Sequence, residues 1–100
     1  MSQKIAVVGA GFIGRSWAMV FSKAGHHVSL YDIDPAALSE AMNLLEINLA
    51  DLESNGLISS KDDLLGRIQP YKTLEDAVEG AEWVQENALE NVRIKRKLFS

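Results

Sequence analysis

Residues Val7 to Asp34 read VVGAGFIGRSWAMVFSKAGHHVSLYDID, and this stretch decides the fold. Gly9, Gly11 and Gly14 stand in a G-x-G-x-x-G spacing, with Asp32 closing the next apolar run. Ile5 to Val8 is short, apolar and bounded by glycine, which predicts a strand buried on both faces. Phe12 to Ala24 carries Ile13, Trp17, Met19, Val20 and Phe21 at roughly helical spacing, with Gly25 as its stop. Val28 to Tyr31 reads as a second strand. Strand, glycine turn, helix, strand and terminal acid together form the pattern of a dinucleotide-binding unit.

Each glycine has a mechanical task in that pattern. Gly9 turns the backbone off the strand, Gly11 lets a pyrophosphate approach the main chain, and Gly14 lets the helix pack close to the sheet. The helix N-terminus then offers free N–H groups and the positive end of its dipole to the phosphates. Asp32 is placed to accept hydrogen bonds from the adenosine ribose and to repel a 2′-phosphate, which favours NAD over NADP. Asp34 suits a helix cap instead. Arg15, in the first helical turn, reaches either the pyrophosphate or solvent.

Working outward, Asp34-Pro35 opens a long helix whose apolar stripe is Leu38, Met42, Leu45, Leu49 and Leu52, ending at Asn55-Gly56. Ser59 to Asp63 opens a short second helix, so Pro35 to Gly66 is expected to form a helical hairpin projecting from the sheet. Arg67 to Tyr71 is a poor, proline-containing strand suited to a sheet edge. Thr73 begins a helix stopped by Gly80, and Trp83 to Asn87 reads as a fourth strand. Glu90 to Ser100 reads as the opening of another helix. The alternation predicts an α/β fold, the N-terminal part of a Rossmann-type doubly wound parallel sheet.

The bulk numbers exclude several classes. One hundred residues with 47% apolar and 24% charged content suit one small globular domain. A formal charge of -4 gives no general attraction to nucleic acid or anionic membrane, and neither is expected as a partner. No cysteine is present, which suits a cytoplasmic protein, and the opening residues contain neither a secretory core nor a membrane span. His26-His27 reads as a solvated turn, because no companion ligands stand at metal spacing; no metal is expected. Trp17 and Trp83 read as core residues. Arg93, Lys95, Arg96 and Lys97 read as a solvated helix face.

The stretches GAGFIGRSWAMVF, LYDID and LEDAVEGAEWVQENALEN, with the spacing from Glu90 to Lys95, resemble the 3-hydroxyacyl-CoA dehydrogenase family. The likeness is nearest to its λ-crystallin-like branch, which includes L-gulonate 3-dehydrogenase. It implies an NAD-binding domain over residues 1–100, with a helical C-terminal domain outside this chain that completes the site and makes a homodimer. It places Phe12 and Ile13 under the dinucleotide, Asp32 on the ribose, and Glu90 and Lys95 near the nicotinamide. The family's catalytic histidine and its carboxylate partner fall beyond Ser100, so no catalytic residue is expected here, and the 100 residues alone are expected to be inactive.

The implied reaction is hydride transfer from a 3-hydroxyl to NAD, on a small-molecule substrate. Acyl-CoA members, which tie the family to fatty acid metabolism, carry a serine and a lysine in the hairpin. Asn48 and Asn55 stand at the matching positions here, which favours a smaller 3-hydroxy acid such as L-gulonate. The main alternative is an NAD-sensing regulatory Rossmann domain of a potassium transport system, which moves quickly from the second strand to the third. A flavin enzyme, which usually ends the second strand in glutamate, and a crystallin-like structural role are further alternatives.

Overall fold

The computed structural model describes residues 3–87 and the backbone of 95–96. Five strands form one sheet in the order β3-β2-β1-β4-β5. They are β1 (Lys4–Val8), β2 (His27–Tyr31), β3 (Ile68–Pro70), β4 (Trp83–Glu86) and β5 (Lys95–Arg96). The first four run parallel, with Ile5 opposite Val28 on one side and opposite Trp83 on the other. The chain thus reverses its direction of travel between β1 and β4, which opens a crevice at the C-terminal ends of those strands.

Both faces of the sheet are covered, which is why β1 is apolar without alternation. On one face Ile5, Val7, Val28 and Leu30 pack with Ala18, Leu38, Ala41 and Leu45. These come from α1 (Phe12–Lys23) and α2 (Pro35–Ser54). On the other face Ala6 and Val84 meet Val78 and Ala81, at the end of α4 (Leu74–Val78). The buried residues of α1 are Gly14, Ala18 and Ser22, so this helix faces the sheet with its small side chains. Its larger apolar residues Trp17, Met19 and Phe21 are half-buried against the same core, Trp17 stacking on Phe21 at 5.3 Å, while Val20 is 55% exposed.

Pro35 to Gly66 folds as the expected hairpin of α2 and α3 (Lys61–Gly66). Of the expected stripe, Leu38, Leu45 and Leu49 are buried together with Ala41, while Met42 and Leu52 are half-buried. The Glu53 carboxylate accepts from the Lys61 N–H at 2.9 Å and fastens the turn between the helices. Two helices where a regulatory domain has a short passage argue against the potassium-transport reading. Asp34, Ser60 and Thr73 each cap their helix through the side chain. Asp34 accepts from the Ala36 N–H at 3.0 Å, and Asp34→Ala should cost about 1 kcal/mol of stability in chemical denaturation.

One expectation fails. Glu90 to Ser100 was expected to open a helix, but Lys95–Arg96 is a strand, paired antiparallel with Gln85 and Glu86 of β4. The physical reason is non-local: the outer edge of β4 has backbone groups that need partners, and Lys95–Arg96 supplies them. The other residues of that stretch lie outside the described residues.

Candidate functional site

The glycine turn sits between the C-terminal ends of β1 and β4. Gly9 has φ +102°, a conformation that side-chain-bearing residues rarely adopt, and its N–H donates to the Tyr31 carbonyl at 2.8 Å. A Cβ on Gly9 would collide with the Asn87 carbonyl oxygen, and one on Gly14 would collide with the Gly9 carbonyl oxygen. At Gly11 a Cβ would meet nothing within 4 Å. Two of the three glycines are therefore required by the protein's own packing. The third faces open space, at the N-cap of α1, where no side chain caps the helix. The first-turn N–H groups of α1 thus lack intrahelical acceptors and face outward.

Asp32 ties this turn to the end of β2. One carboxylate oxygen accepts from the Ala10 N–H at 2.7 Å, and the other accepts from the Asp34 N–H at 2.8 Å. The acid is fixed in place by two backbone donors before any ligand arrives, which lowers the cost of ordering it on binding.

A cavity of about 480 Å³ lies over the turn. Gly9, Gly11, Phe12, Ile13, Gly14 and Asp32, six of the residues singled out by sequence, all line it. Phe12 and Ile13 are 74% and 43% exposed, as residues forming an open wall. Ile33 and Asn87 also line the cavity and were not singled out by sequence. Asn87 follows β4 directly, and its N–H donates to the Val8 carbonyl at 2.8 Å, which sets it beside Gly9. In the sequence it is only the residue that ends a strand; the pairing of β4 with β1 puts it at the crevice. Lys95 lies in β5, where its backbone is opposite Glu86. Glu90 lies outside the described residues.

Arg15 does not enter that cavity's wall. It lines a neighbouring one of about 300 Å³ with Ala10, Gly11, Asp34 and Glu40, and its guanidinium lies 5.9 Å from the centre of the Phe12 ring. A third cavity, of about 490 Å³, runs from Asp32 and Ile33 along α2 to Pro70 and Tyr71. The histidines are at the opposite edge of the sheet: His27 begins β2, and His26 accepts from the Gln3 N–H through Nδ1 at 3.2 Å. Asn55 is occupied in ending α2, its side chain donating to the Asp51 carbonyl at 2.8 Å. Among the described residues no group of three or more His, Cys, Asp or Glu could hold a metal ion, and no helix is long and apolar enough to cross a membrane.

A glycine turn at a helix N-terminus, an acid closing β2, and a cavity over both define a Rossmann-type dinucleotide-binding domain. The family model described as 3-hydroxyacyl-CoA dehydrogenase, NAD binding domain, matches residues 4–100. The chain belongs to that family, as its NAD-binding domain. It is 43% identical over 99 residues to a lambda-crystallin homolog of Bos taurus, covering 96% of this chain and 31% of that protein. It is 35% identical over 98 residues to an L-carnitine dehydrogenase of Streptomyces griseus, covering 98% and 29%. Among solved structures, the 3-hydroxybutyryl-CoA dehydrogenase of Escherichia coli superposes with a TM-score of 0.81 at 32% identity, over 89% of this chain and 19% of that one. The chain thus spans about a third of the length of the curated relatives it matches.

Proposed function

We propose that this chain is the cofactor-holding part of an NAD-dependent dehydrogenase that oxidises the 3-hydroxyl of a 3-hydroxyacyl-CoA or of a small 3-hydroxy acid such as L-gulonate. The observation that carries this reading is the glycine turn latched to Asp32 beneath a cavity of about 480 Å³. Bound NAD supplies a hydride acceptor. The chain's own residues bind and orient it. Gly11 leaves room for the pyrophosphate against the first turn of α1, Phe12 and Ile13 wall the turn, and Asp32 accepts from the ribose hydroxyls. Gly9 and Gly14 keep the turn in shape. Glu90 and Lys95 serve the nicotinamide end.

The relatives named above, dehydrogenases of L-carnitine and of 3-hydroxybutyryl-CoA, support the reaction class. Asn48 and Asn55, in place of a serine and a lysine, favour the smaller acid over the acyl-CoA ester. The base that takes the hydroxyl proton comes from a helical C-terminal domain, which also makes the homodimer. Neither His26 nor His27 takes part, being at the far edge of the sheet. The cysteine-free composition suits a cytoplasmic setting.

Titration calorimetry with NAD and NADP tests the reading. NAD should bind at least about tenfold more tightly, because a 2′-phosphate would meet the Asp32 carboxylate at close range. His26→Ala and His27→Ala should leave NAD affinity unchanged. With the whole protein, NADH formation on L-gulonate should exceed that on a 3-hydroxyacyl-CoA; the opposite order would assign the acyl-CoA substrate.

A further inference from the structure

Two amide side chains project from the end of β4 without satisfied donors. Gln85 Oε1 accepts from the Trp83 indole N–H at 3.4 Å, while its Nε2 is buried without a partner; the residue is only 3% exposed and does not line the cavity over the glycine turn. Asn87 differs in its place: its Nδ2 is likewise buried without a hydrogen-bond partner, but the residue is among those lining the cavity over the glycine turn. A buried amide donor left unpaired costs roughly what a lost hydrogen bond costs, so its retention at a cavity wall calls for a partner that arrives from outside.

We propose that Asn87 is a cofactor-positioning residue whose Nδ2 donates to an oxygen acceptor of the dinucleotide on the nicotinamide side of the pyrophosphate. The proposal rests on reading the cavity as the dinucleotide site, and three observations fix the side. Asp32 directly follows β2, and β2 and β4 flank β1 on opposite sides. With Asp32 on the adenosine ribose, the far side of the turn belongs to the other half of the molecule. Asn87 is the residue on that far side, held beside Gly9 by its backbone bond to Val8. Its place is also rigid: the Asn87 carbonyl oxygen blocks the space where a Gly9 side chain would stand. The amide therefore needs little ordering to meet an acceptor over the turn, and an acceptor bearing negative charge, such as a phosphate oxygen, makes the stronger bond.

The test is the affinity of wild type, Asn87→Ala and Asn87→Asp for NAD, ADP-ribose and AMP, by calorimetry, beside the thermal stability of each ligand-free protein. Asn87→Ala should bind NAD and ADP-ribose about tenfold more weakly, and AMP as wild type does. Asn87→Asp removes the donor and adds a charge that repels phosphate, so its loss should be at least as large. The ligand-free melting temperature of Asn87→Ala should equal or exceed that of wild type, because a donor without a partner is removed. Unchanged NAD affinity in both variants would overturn the proposal, as would equal weakening toward AMP. A lower melting temperature in Asn87→Ala would show a purely structural role. Wild type that binds none of the three ligands would instead overturn the functional reading itself.

Discussion

Gly14→Ala should abolish measurable NAD binding and destabilise the domain by about 3 kcal/mol, the upper end of the cost of overpacking. The sign is not obvious, since alanine inside a helix normally gains about 1 kcal/mol over glycine. The collision decides it. The added Cβ would overlap the Gly9 carbonyl oxygen, which is backbone and has no rotamer to escape into. Gly9 is held in turn by its bond to Tyr31 and by the Asn87 carbonyl against its open side. Relief requires α1 to move away from the sheet, and Ala18 and Ser22, fully buried along the same face, would lose their contacts. Gly11→Ala is the contrasting case. Its backbone φ of -70° is ordinary and its surroundings are open, so the variant should melt as wild type does while binding NAD at least about tenfold more weakly. Denaturation curves and NAD titrations on the two variants check both statements. Equal stability for both would mean that the turn is softer than its packing implies.

Asp32→Ala should weaken NAD binding by about 1–3 kcal/mol, the scale for hydrogen bonds to a charged group. It should also lower the stability of the ligand-free protein by about 2 kcal/mol, because the same carboxylate satisfies the backbone N–H groups of Ala10 and Asp34. Asp32→Asn should recover only part of the loss. An amide has one acceptor oxygen for two N–H donors, and its NH₂ group would face one of them. NAD and NADP titrations on the three proteins, with urea denaturation alongside, separate the two roles. A wild type that prefers NADP would refute the assignment of Asp32 to the ribose.

Much of this was legible in the chain because the signals are local. The capping of α2 by Asp34 with Pro35 behind it, of α3 by Ser60 and of α4 by Thr73 rests on side chains bonding two or three residues on. The apolar run of β1 and the glycines after it share that local character. The proline-containing β3 is at the sheet edge, as its composition predicted. What failed depends on distant partners. The stretch around Lys95 carries a helix-like pattern, and only pairing with the outer side of β4 makes Lys95–Arg96 a strand. Asn87 looks like any strand-ending residue until the register with β1 brings it beside Gly9. In α1 the large apolar residues Trp17, Met19 and Phe21 do pack against the core, but only half-buried; the face seated on the sheet is the small one, Gly14, Ala18 and Ser22, because Gly14 brings the helix axis close.

The outer edge of β3 has a consequence for the molecule in a crowded solution. Arg67 and Tyr71 bond inward to β2, through the Arg67 carbonyl and the Tyr71 N–H. Directions alternate along a strand, so Ile68 and Pro70 turn their backbone groups outward. Proline has no N–H, which leaves Ile68 as the one donor this three-residue edge can offer. A strand from a neighbouring copy would find one donor beside two carbonyls, where a regular ladder needs donors and acceptors in alternation. This flank therefore resists edge-to-edge aggregation, and Pro70 serves as a gatekeeper against it.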